Sequence, residues 1–94
     1  MAAKKLAART TGGSVTAIIC RVFGPNCAYA KTIAYRESRY STTASNGTHW
    51  GLFQLDSSAI SSYASIGYST AYQQVVAAHN MFLARGWEPW TCCE

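Results

Sequence analysis

Four cysteines, at positions 20, 27, 92 and 93 of a 94-residue chain, constrain what this sequence can fold into more than any other feature. Their number in so short a chain points to two disulfides rather than free thiols. A bond between the neighbours Cys92 and Cys93 is strained, because their Cβ vectors diverge. The two remaining pairings both tie the Cys20–Cys27 region to the C-terminus. Loops of about 65–75 residues closed in this way add on the order of 4 kcal/mol by restricting the unfolded chain. A chain this short buries roughly 60–65% of its unfolded surface, so its small core needs such a supplement. Adjacent cysteines do not match the usual Cys-x₂₋₄-Cys spacing of zinc sites. No metal and no cofactor is expected.

The length allows one domain. Only 13% of residues are charged while 49% are hydrophobic, against about 25% charged in an average domain. That balance excludes a disordered charged chain, a collagen-like repeat and a heptad repeat. The surface must be neutral and polar, which suits a neutral polymer such as a glycan better than nucleic acid. The net charge of +4 points the same way: Lys4, Lys5 and Arg9 supply three of the eight positives. From residue 10 onward Arg21, Lys31, Arg36, Arg39 and Arg85 face four acids, a balance of +1. A nucleic-acid footprint clusters on a folded face instead, so no nucleic-acid partner is expected. Residues 1–13 read as a solvated basic tail and 14–94 as the folded domain. Val15–Cys20 is a six-residue apolar run, far short of the ~18–20 residues of a membrane span. Arg21 interrupts it, so it is not read as the core of a signal peptide either. The expectation is a monomer without a membrane partner.

The remaining pattern is mainly helical. Ser14 is placed to cap a helix over about 15–23, with Val15, Ile18, Ile19 and Val22 on one face. Gly24-Pro25 ends it. Asn26 is placed to cap a second helix over 27–38, with the apolar row Cys27, Ala30, Ile33 and Ala34. A Ser/Thr/Asn/Gly-rich stretch then leads to an alternating segment in which Trp50, Leu52, Gln54 and Asp56 oppose Gly51, Phe53 and Leu55, a short β-hairpin. Ser57 opens a short helix to Gly67. Thr70 and Gln73 form a capping box for a helix to Arg85, with Gly86 at its end and Tyr72, Val75, Val76, His79 and Leu83 inside. The fold class expected is mainly α (α+β): about four helices with one short hairpin, stapled by disulfides.

Glu37, Asp56, Glu88 and Glu94 are the only side-chain carboxylates. Glu37 alone continues a buried apolar helical row. Burial disfavours the charged form, and a carboxyl kept protonated near neutral pH is what a general acid requires. The plain structural alternative is a helix-end Glu paired with Arg36 or Arg39.

Glu37-Ser38-Arg39-Tyr40, followed by Ser45-Asn46-Gly47-Thr48-His49-Trp50-Gly51-Leu52-Phe53-Gln54, resembles the lysozyme-like superfamily, and within it the lytic transglycosylase and resuscitation-promoting-factor-like group. Those proteins pair a helix-ending Glu-Ser with a downstream Gly-Leu-Phe-Gln hairpin. Arg85-Gly86-Trp87-Glu88-Pro89-Trp90-Thr91-Cys92 is similar to the end of small domains of this kind, so the resemblance spans about residues 15–93. It implies a cleft for peptidoglycan glycan strands, cleavage of the β-1,4 bond between N-acetylmuramic acid and N-acetylglucosamine, and Glu37 as the catalytic acid. It further implies action at the bacterial cell wall, outside the cytoplasm or delivered by a phage. Two departures stand out: the glycine of the Ser-Pro-x-Gly run is displaced in Ser45-Asn46-Gly47-Thr48, and Ala34-Tyr35-Arg36 replaces a Cys common before Glu-Ser. His49 stands where chicken-type lysozymes carry a second carboxylate, which leaves single-acid chemistry at Glu37 with Asp56 as the only other nearby carboxylate.

Around the acid, Gln54 is placed to bond an N-acetyl group or position Glu37. Ser38 is placed to orient the carboxyl or to end the helix. Gly51 permits close backbone approach to a sugar. Tyr40 and Trp50 offer flat rings to pyranose faces, and His49 offers a second proton carrier. Trp87 and Trp90 are expected against the cysteine pair, and His79 in the core. The competing readings are a non-catalytic peptidoglycan-binding module that keeps the cleft, and a disulfide-stapled secreted effector without a glycan role.

Overall fold

The computed structural model describes residues 12–91. The order is α1 (Gly12–Phe23), a 3₁₀ turn (Gly24–Asn26), α2 (Cys27–Ser38), β1 (His49–Trp50), β2 (Leu55–Asp56), α3 (Ser57–Tyr63), α4 (Ala71–Arg85) and α5 (Glu88–Thr91). This is the mainly helical plan with one hairpin that the sequence pattern predicts. Residues 1–11 of the expected tail, and Cys92 and Cys93, lie outside the described residues.

Val15, Ile19 and Phe23 recur every four residues and form the buried face of α1, which packs on both α2 and α4. The helix already includes Gly12 and Gly13, so Ser14 lies inside its first turn and is not its cap. Each helical glycine costs about 1 kcal/mol relative to alanine, and packing of the apolar face outweighs that.

Gly24 turns the chain at φ 58°, where only glycine sits without penalty, and Pro25 follows. The turn folds α1 back onto α2 and sets Cys20 beside Cys27, Cα atoms 4.6 Å apart, where they form a disulfide. This corrects the expected tie from Cys20 and Cys27 to the C-terminus. A local turn brought the two within bridging range before any distant pairing was needed. So short a loop adds roughly 2.5 kcal/mol on the chain-entropy account. Asn26 is held at φ −94°, ψ 10° inside the turn and makes no side-chain cap, so α2 continues directly from the 3₁₀ turn.

Along α2, Ala30, Ile33 and Ala34 are buried. Its end is marked by Arg39 and Tyr40, both left-handed at φ 55° and 64°. β1 and β2 are antiparallel, with His49 opposite Asp56 and Trp50 opposite Leu55. The strands are shorter than the alternation implied. Residues 51–54 are the turn itself, and the successive Leu52 and Phe53 are both buried. Neighbours on a strand point to opposite faces, whereas Gly51 (φ 84°) and Gln54 (φ 52°) bend the backbone so that both enter the core.

α3 opens at Ser57 as the sequence predicts, and Asp56 caps it: its Oδ1 accepts from Ala59 N at 2.8 Å. The helix stops at Tyr63 rather than Gly67. There Asn80 Nδ2 of α4 donates to the Tyr63 carbonyl at 2.9 Å, satisfying a helix-end acceptor from outside. The capping box of α4 forms as expected, Thr70 Oγ1 accepting from Gln73 N and Gln73 Oε1 from Thr70 N. The buried face of α4 is Gln74, Val75, Ala77, Ala78 and Met81, whereas Tyr72 and Leu83 are exposed. The face is rotated from the expected row because α4 meets α1 and α3 through its small alanines.

Candidate active site

A cleft of about 500 Å³ lies between the end of α2, the hairpin, and the C-terminal part of the described chain. That lies within the roughly 300–1,000 Å³ of typical ligand sites. Glu37 enters it from α2, His49 and Asp56 from the two strands, Gln54 from the turn and Arg85 from α4. Leu55, Ala59, Met81, Pro89 and Trp90 supply apolar wall, and Asn46 contributes from the loop before β1.

The Glu37 side chain is only 17% exposed, and its Oε2 is buried. Its place on the inward side of α2 follows from spacing: it stands four residues after Ile33 and three after Ala34, both fully buried. Arg36 Nη2 lies 3.6 Å from Oε2, with the Arg36 side chain 43% exposed. The same Arg36 Nη2 donates to the Trp90 carbonyl at 2.9 Å, which ties α5 to the acid's neighbourhood.

Gln54 Nε2 donates to the carbonyls of Gly51 (2.8 Å) and Ala44 (3.0 Å), so its amide closes the turn that holds it in the cleft. Behind the turn, the buried Gln74 of α4 locks the hairpin in place. Its Oε1 accepts from Leu52 N at 2.8 Å, and its Nε2 donates to Thr42 O at 3.1 Å and Tyr68 O at 3.3 Å. Tyr68 adds a bond from its hydroxyl to Trp50 O at 2.7 Å. Burial pushes the Tyr68 hydroxyl up to about 12, only partly offset by a bond from the Leu55 backbone.

Of the residues singled out from sequence, Glu37, His49 and Gln54 meet in the cleft, and Ser38, Tyr40, Trp50 and Gly51 do not line it. The Ser38 hydroxyl is taken by the helix end, donating to Ala34 O and accepting from Ser41 N. Tyr40 stacks edgewise on Tyr35. Trp50 is 39% exposed and contributes nothing to the cleft lining. Gly51 is buried under Gln74, so its missing side chain makes room for an amide and not for a sugar.

Sequence reasoning missed Trp90, Arg85 and Asn46 as cleft residues. Trp90 donates from Nε1 to Phe53 O at 3.0 Å and packs on the Phe53 ring. Trp87 packs on Phe82, Tyr29 and Phe23. The cysteine pair that both were expected to cover lies outside the described residues. His79 sits half-buried against Phe23 and Phe82, away from the cleft, and burial lowers its pKa.

Among the described residues no cluster of His, Cys, Asp or Glu is arranged to hold a metal ion. None of the described helices is long and apolar enough to cross a membrane. Compared with family models, curated proteins and solved structures, the chain matches none.

Proposed function

We propose that this protein is a peptidoglycan-degrading glycosidase with Glu37 as its general acid and base, acting on the β-1,4 bond between N-acetylmuramic acid and N-acetylglucosamine. The observation that carries the reading is a largely buried carboxyl at the end of α2 that opens into a cleft beside the hairpin bearing Gln54. A carboxyl shielded in this way is suited to hold a proton until a glycosidic oxygen arrives, then release it to the leaving group. Gln54 offers its carbonyl oxygen to an N-acetyl N–H, since its Nε2 is engaged by the turn. An O–H nucleophile completes the cleavage. Water gives a reducing end, as in a muramidase, and the muramic 6-hydroxyl gives a 1,6-anhydro end, as in a lytic transglycosylase. The site of action that follows is the bacterial cell wall, reached from outside the cytoplasm or with a phage.

The Arg36–Glu37 contact favours a second reading, a glycan-binding module in which the carboxylate is structural. Incubation of purified cell walls with the wild type and with Glu37→Gln separates the two. Release of soluble muropeptides that Glu37→Gln abolishes supports the enzyme. Binding without release supports the module, and release that survives Glu37→Gln removes Glu37 from the chemistry.

A further inference from the structure

The hairpin register sets His49 directly opposite Asp56, although seven positions separate them in sequence. Cross-strand partners hold their Cβ atoms roughly 4.5–5.5 Å apart on one face of the ladder. Both line the cleft that Glu37 enters.

Hydrogen bonds from the preceding loop anchor the His49 ring and its backbone. Asn46 Oδ1 accepts from the backbone N–H of Thr48 (3.0 Å) and of His49 (2.9 Å), which identifies that atom as the amide oxygen. Thr48 Oγ1 donates its one proton to the same oxygen at 3.1 Å. The same hydroxyl lies 2.9 Å from His49 Nδ1. In the tautomer whose Nδ1–H donates to that hydroxyl, Nε2 of this cleft-lining ring carries the lone pair.

We propose that in the hydrolytic branch of this reaction His49 Nε2, in place of Glu37, is the base, accepting a proton from the water that attacks the anomeric carbon; the proposal rests on the glycosidase reading in which Glu37 is the acid. Glu37 gives its proton to the glycosidic oxygen as the bond from that oxygen to the anomeric carbon breaks, the electron pair leaving with the oxygen. The water oxygen bonds to the anomeric carbon, and its proton passes to Nε2. The products are a reducing-end sugar, a free 4-hydroxyl, an ionised Glu37 and a protonated His49; exchange with solvent restores both groups. A single displacement inverts the anomeric carbon. Water is the nucleophile because His49 lies on the wet side of the cleft, between the exposed Asn46 and Asp56. The Asp56 carboxylate, anchored as the cap of α3, stands across the ladder from His49. Around this pair stand the charges of Glu37 from α2 and Arg85 from α4, with Arg36 beside Glu37. The reactive form has Glu37 protonated and His49 neutral, one proton between two groups, so the rate follows a bell against pH whose limbs belong to the pair.

The test measures reducing-end release from purified peptidoglycan against pH for the wild type and single variants, each checked by circular dichroism. His49→Gln is expected to slow release roughly 100-fold and to lose the acid limb of the bell. Asp56→Asn keeps the α3 cap, since Asn caps as well as Asp, and stays active. Thr48→Ser, which keeps the hydroxyl beside Nδ1, slows release less than Thr48→Val, which removes it. A wild-type rate and profile in His49→Gln overturns the proposal, as does an Asp56→Asn loss as deep as that of His49→Gln, which makes Asp56 the base. Anhydro ends in the wild-type digest overturn the water step. A wild type that releases nothing defeats the glycosidase reading itself, and this inference with it.

Discussion

Replacing Gly51 with alanine separates backbone strain from steric conflict at the joint that holds the hairpin. Gly51 and Gly47 both have positive φ, 84° and 97°. An alanine at either position pays roughly 1–2 kcal/mol for a left-handed backbone. At Gly47 a new Cβ meets nothing within 4 Å, so Gly47→Ala costs that amount alone. At Gly51 the Cβ falls 2.6 Å from Gln74 Oε1, 2.9 Å from its Cδ and 3.0 Å from the Tyr68 hydroxyl. Overpacking of this kind adds roughly 1–3 kcal/mol. If Gln74 retreats instead, the buried Leu52 N–H loses its acceptor at a similar cost. The expected losses are about 1–2 kcal/mol for Gly47→Ala and about 2–5 kcal/mol for Gly51→Ala. In a domain of this size each kcal/mol lowers the melting temperature by roughly 4–8 °C. Urea unfolding followed by tryptophan fluorescence measures both. Adding Gln74→Ala to Gly51→Ala removes the atoms in conflict, so the double variant should lose clearly less than the sum of the two single losses. Equal losses for the two glycine variants, or strict additivity with Gln74→Ala, would refute the argument that Gln74 is the clamp.

Three further outcomes follow from the geometry. Peptide mapping without reduction should recover a Cys20–Cys27 linked fragment, and Cys20→Ser/Cys27→Ser should cost roughly 2.5 kcal/mol in urea unfolding, the value for so short a loop. Because burial depresses the His79 pKa in the folded state, the unfolded chain takes up this proton first; stability is full above about pH 6.5 and falls as pH drops below it. The urea midpoint should therefore fall between pH 7.5 and 5.5 in the wild type, and fall less in His79→Phe. Leu83→Gln should change stability by less than about 0.5 kcal/mol, because that leucine is 69% exposed, whereas Val75→Ala on the buried face should cost on the order of 2 kcal/mol in the same assay.

Glu37 was legible because its signal is local. A helical row of apolar residues runs into a carboxylate one turn later, and the structure keeps that register, leaving the acid 17% exposed. Gln54 and His49 were legible as cleft residues because they sit on the hairpin that follows. Ser38, Tyr40, Trp50 and Gly51 were assigned to the same surface by proximity in sequence, and proximity misled. Two left-handed residues at the end of α2 and a positive-φ turn redirect these side chains, into the helix end, onto Tyr35, out to solvent and under Gln74. Trp90 and Arg85 join the cleft from more than thirty positions further along the chain than Gln54, a distance that no local pattern bridges.

The sequence by itself determined the number and kind of elements: periodicity placed α2, the Gly24-Pro25 break ended α1, and the Thr70–Gln73 box opened α4. Each is decided by bonds and contacts within a few residues, so each can be read along the chain. Only the tertiary structure decided the partner of Cys20, the inward face of α4 and the meeting of Glu37 with His49, Asp56 and Trp90. Those depend on how packed elements orient one another, and the free energy that selects the arrangement comes from burying a common core of residues drawn from every part of the fold.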